Sequence, residues 1–92
     1  MRRERHRVVF SGRVQGVGFR VTCRSIARGF PIAGYVRNLA DGRVELVAEG
    51  DRDELDGFVK SIQVEMRPYI RDVATEVEIA AEPLFVDFVI RH

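Results

Sequence analysis

Gly16 and Gly18 stand just ahead of Arg20 in the segment Gly12-Arg13-Val14-Gln15-Gly16-Val17-Gly18-Phe19-Arg20, a spacing of residue types that suits an anion. A strand-like run precedes this segment and a helix-like run follows it, so a glycine-bearing loop and one arginine meet at a helix N-terminus. Successive backbone N–H groups in such a loop can converge on an anion with no side chain in the way, and the helix's free N–H groups add to the attraction. Arg20 supplies a full charge on a planar, two-pronged donor. Taken alone, an arginine after such a loop is more often structural or solvent-exposed than catalytic, and glycines there relieve strain in a tight turn.

The elements that must position this loop can be read from apolar spacing. Arg7 to Val14 alternates as a strand, and Phe19, Cys23, Ile26, Ala27 and Phe30 fall on one helical stripe that Pro31 stops. Ile32 to Leu39 reads as a strand, Asp41-Gly42 as a turn, and Val44, Leu46 and Ala48 as the inner face of a hairpin partner whose polar face should meet water. After Gly50-Asp51, with an aspartate or a neighbour as cap, Leu55, Phe58, Val59, Ile62 and Met66 line a second helix. Two short strands follow, one on Val73, Thr75, Val77 and Ile79, the other on Leu84, Val86, Phe88 and Ile90, separated by Glu82-Pro83.

The order βαββαβ with a short extra C-terminal strand predicts an α+β fold, a ferredoxin-like two-layer sandwich with a mainly antiparallel sheet. A single domain over residues 1–92 accounts for the chain. The first strand and the strand ending near Asn38 are joined through a helix, so they should run in parallel with the hairpin partner between them, about 9–10 Å apart. An anion at the 15–20 loop then comes within reach of a water held by Asn38, although Asn38 alone would read as a turn or cap residue.

These residues carry a resemblance. Gly12-x-Val14-Gln15-Gly16-Val17-x-Phe19-Arg20, followed by Gly34-Tyr35-Val36-Arg37-Asn38-x-x-Asp41-Gly42-x-Val44-Glu45, resembles the two signature motifs of the acylphosphatase family, at matching separation. That resemblance implies a metal-independent enzyme without a cofactor, which hydrolyses the carboxyl–phosphate bond of acyl phosphates to a carboxylate and inorganic phosphate. It implies catalytic roles for Arg20, which binds phosphate, and for Asn38, which positions the attacking water. Gln15, Gly16, Val17, Gly18, Phe19 and Arg20 correspond to the family's phosphate-binding cradle, and the bound phosphate is implied as the water's proton acceptor. Two departures, Tyr35 where tryptophan is common and Pro31 where glycine is common, bear on substrate preference.

Other function classes fit less well. A net charge of +1 from 15 basic and 14 acidic side chains provides no global field for nucleic acid or membrane. The N-terminal basic run through Arg7 reads as a solvated chain end rather than a nucleic-acid arm. An RNA-recognition domain of the same element order needs aromatic residues on its central strands, but Arg43 to Glu49 contains none. Cys23 lies inside a helix with glycine six positions on, which defeats a thiol-phosphatase loop, and a buried thiol is expected. His6 and His92 lie at opposite chain ends without ligand spacing. Acylphosphatase-like domains also open larger hydrogenase-maturation proteins, and the end at His92 favours a free-standing enzyme. A cytoplasmic monomer is the expectation, since the single cysteine forms no internal disulfide and no long apolar segment occurs.

Overall fold

In a computed structural model describing residues 3–92, β1 (Arg3–Gly12), α1 (Phe19–Ala27), β2 (Ala33–Asn38), β3 (Val44–Asp51), α2 (Arg52–Glu65), a 3-10 turn (Arg67–Tyr69), β4 (Ile70–Ile79) and β5 (Phe88–Ile90) follow in order. The sheet runs β4-β1-β3-β2-β5. Its first three pairings are antiparallel, and β5 lies parallel to β2. Both helices cover one face of this sheet, as the sandwich reading predicts.

The core forms where the helical stripes meet the inward strand positions. Val8, Phe10, Val36, Val44 and Leu46 from the sheet pack with Phe19, Cys23, Leu55, Phe58 and Ile62 from the helices. Burial pushes the Cys23 thiol up to about 12, so it remains protonated and serves as packing. Asp51 occupies the N-cap position of α2, but its side chain makes no capping hydrogen bond. Instead Asp53 and Glu54 in the first turn complement the helix dipole.

Three sequence expectations change. The polar face of β3 does not meet water: Glu45 is 4% exposed and Glu49 fully buried. A carboxylate tolerates such burial only when its oxygens are met by donors. Glu45 accepts from Arg7 Nε and Arg37 Nε, each at 2.6 Å, and from the Tyr35 hydroxyl at 3.2 Å. Glu49 accepts from Arg5 Nε at 2.8 Å and from the backbone N–H groups of Leu84 and Phe85 at 3.0 and 3.3 Å. That capture removes Leu84 to Val86 from the last strand, which spans only Phe88–Ile90 and leaves Val86 98% exposed.

The N-terminal run differs as well. Arg3–His6 is the start of β1, paired to both β3 and β4, because Glu4 and His6 are hidden as a 2.7 Å pair that Arg52 completes. The hydrogen bonds from Arg52 and His6 lower the Glu4 carboxyl to about 2. Met1 and Arg2, the first part of that run, lie outside the described residues.

Gly34 fixes how closely β2 approaches β3. A Cβ there would lie 1.8 Å from the Val47 carbonyl oxygen and 2.8 Å from Ala48 Cα, so backbone would have to move. Gly34→Ala is expected to destabilise the fold by about 3 kcal/mol or more, read as a drop in the urea midpoint. An unchanged midpoint would show that the two strands can separate freely.

Candidate active site

Phe10 of β1, Val44 of β3 and Asn38 of β2 sit on one rung of the sheet, so Asn38 emerges two strands away from β1 at the end where the 13–18 loop begins. The expected parallel relation of β1 and β2, with β3 between them, is therefore observed. Asn38 lines a cleft of about 100 Å³ together with Val14, Gly16, Gly18, Phe19, Arg20 and Val21.

Local chemistry explains the loop's shape. Gly16 and Gly18 have φ of 79° and 77°, the left-handed region that a side chain disfavours. Gly18 is also the N-cap of α1: its carbonyl accepts from the Thr22 N–H at 3.0 Å, while no side chain caps this end and no acidic residue occupies the first turn. A helix N-terminus without a capping side chain, beside an arginine, can receive an oxyanion.

The remaining loop side chains are committed to holding it in place. Gln15 Nε2 donates to the carbonyls of Leu39 and Arg43 at 2.8 and 3.0 Å, tying the loop to the turn that follows Asn38. Val17 packs against the core, and the Phe19 ring lies 5.0 Å from Phe10. Gln15, Val17 and Phe19 therefore have backbone rather than side chain to offer a ligand. Gln15 and Val17 border a neighbouring hollow instead of the cleft itself.

The turn after Asn38 is secured without it. Leu39 N–H donates to Arg43 O at 2.8 Å, and Asp41 accepts from the Arg43 backbone N–H at 3.1 Å. This backbone hydrogen bond, with Arg43's side chain adding to it, lowers the Asp41 carboxyl below its usual range. The Asn38 amide has no hydrogen-bond partner among the described residues, so it remains available to the cleft.

Arg20 is not held by a carboxylate among the described residues, whereas Arg5, Arg7, Arg37, Arg43, Arg52 and Arg71 each hold one. Arg37, although one residue from Asn38, goes to Glu45 on the other face of the sheet. Arg20 contacts His92 instead, with Nη1 3.3 Å from Nδ1; since a guanidinium only donates, His92 accepts. Parallel pairing of β5 with β2, continued by Arg91 N–H to Val36 O at 2.9 Å, brings His92 beside Arg20 of the first motif.

The acylphosphatase family model matches residues 6–90. This chain belongs to the acylphosphatase family. An acylphosphatase of Treponema denticola is 52% identical over 64 residues, 70% of this chain and 67% of that protein. One from Acaryochloris marina is 48% identical over 54 residues, 59% of this chain and 58% of that protein, so the matched segments span about three fifths to two thirds of these curated relatives. The crystal structure of acylphosphatase from Bacillus subtilis superposes with a TM-score of 0.85 at 31% identity, covering 97% of this chain and 99% of that chain. Among the described residues, no group of three or more histidine, cysteine, aspartate or glutamate side chains is placed to hold a metal ion, and no helix is long and apolar enough to cross a membrane.

Proposed function

We propose that the 15–20 loop and Arg20 hold the phosphoryl group of an acyl phosphate while Asn38 orients the water that attacks it. The observation that carries this reading is the shared cleft: Gly16, Gly18, Arg20 and Asn38 line it from two motifs that only the parallel arrangement of β1 and β2 brings together. Hydrolysis of acyl phosphates is the family's activity, and its chemistry asks little of side chains. The carboxylate is a good leaving group, so the protein mainly holds the phosphoryl group, meets its charge and aligns a water opposite the departing oxygen.

In the proposed step the water oxygen forms a bond to phosphorus as the bond from phosphorus to the acyl oxygen breaks. The acyl carboxylate leaves with that electron pair, and a phosphoryl oxygen takes the water's proton. Inorganic phosphate remains in the cradle as product. We place this activity in a cytoplasmic monomer formed by residues 1–92 as one domain, with small-molecule acyl phosphate as substrate and no metal, nucleic acid or membrane required. Against nucleic-acid binding, the outward aromatic Tyr35 is covered by Arg91, 4.0 Å from its ring centroid, and by Phe85.

Benzoyl phosphate is expected to be hydrolysed in excess chelator, with competitive inhibition by inorganic phosphate. Loss of turnover on chelation, restored by a divalent cation, would replace this mechanism with a metal-assisted one.

A further inference from the structure

A second cleft, about 340 Å³, adjoins the first and shares Arg20 and Val21 with it. It runs between α1 and β5, where Arg24, Phe88, Val89, Ile90 and His92 complete its walls, and it contains neither Asn38 nor the loop glycines. An attacking water on the Asn38 side requires the departing oxygen to leave on the opposite side of phosphorus. The acyl group therefore leads away from Asn38, and the cleft that Arg20 lines and Asn38 does not is the space assigned to it.

Its lining defines what fits. Val21 and Val89 present exposed apolar surface, and no aspartate or glutamate side chain lines either cleft. Arg24 follows Arg20 by one helical turn on a helix, Phe19–Ala27, that contains no acidic residue. Two cations at this spacing repel each other, and an anion between or beside them relieves that repulsion. Arg24 makes no ion pair among the described residues. Its place in the last turn of α1 also suits the helix dipole, an effect that acts on stability and not on the choice of substrate.

We propose that Arg24 is a specificity-determining residue of the acyl subsite, favouring acyl phosphates whose acyl chain ends in its own anionic group. This inference rests on the proposed phosphate role of Arg20. Succinyl phosphate and butyryl phosphate test it, because their acyl chains match in length and differ in the terminal carboxylate. The protein is expected to prefer succinyl phosphate roughly fivefold in kcat/KM, the upper end of the size expected for an exposed ion pair. Arg24→Gln should bring that ratio close to one, Arg24→Lys should restore most of it, and Arg28→Gln, one turn further and outside both clefts, should leave it intact. A ratio insensitive to Arg24→Gln overturns the proposal.

Binding of the two phosphonate analogues, in which a methylene replaces the bridging oxygen, separates this outcome from failure of the hydrolase reading. Arg24-dependent preference for the carboxyl-ended phosphonate without any turnover would retain the subsite and reject the hydrolase. Equal binding of the two phosphonates would reject the subsite even in an active enzyme.

Discussion

Asn38→Ala is expected to lower kcat on the order of 10²- to 10³-fold while leaving inhibition by inorganic phosphate within about twofold. The amide has no partner among the described residues, and the adjoining turn is held by Gln15, Asp41 and backbone hydrogen bonds, so the variant should fold. The proposed cradle and Arg20 also remain, which preserves the ground-state contacts to phosphate. Only orientation of the attacking water is lost, and that loss falls on the transition state. Calorimetry of phosphate binding beside kcat decides the matter. Near-normal kcat in the folded variant would remove Asn38 from the mechanism, and lost phosphate binding would reassign it to the anion site.

Much of the proposed site could be read in the chain because two local signals and one topological rule converge. Gly16, Gly18 and Arg20 mark a loop entering a helix, and the crossover through α1 makes β1 and β2 parallel, so that they end together. What the sequence concealed arises from partners far apart in the chain. The alternation of Glu45 and Glu49 with apolar residues is the usual mark of a wetted strand face, but β3 lies at the centre of the sheet with arginines from both β1 and β2 reaching over it. No spacing within β3 signals those contacts.

The same difficulty applies at both ends of the described chain. Glu4 and His6 look solvated until Arg52 of α2 closes over Glu4, and Leu84 to Val86 look like strand until Glu49 takes the backbone N–H groups of Leu84 and Phe85. His92 offered a sequence reader no partner, because its approach to Arg20 depends on which strand β5 joins. Side-chain pairing across strands, unlike apolar period, has no local imprint.

Arg20→Lys is expected to lower turnover on the order of 10² or more and to weaken phosphate inhibition as well, unlike the change at Asn38. Lysine keeps a positive charge on the first turn of α1, so any long-range attraction of the anion survives. It loses the planar fork that can donate to two oxygens of one phosphoryl group in fixed geometry, and its ammonium concentrates the charge at a single, more mobile point. The variant also loses the guanidinium contact to His92, an exposed 3.3 Å interaction whose removal should cost the fold little. Phosphate inhibition and kcat, measured together on the folded variant, test both expectations at once. If both stayed near the parent values, charge alone would suffice at position 20, and the bidentate role proposed for Arg20 would be wrong.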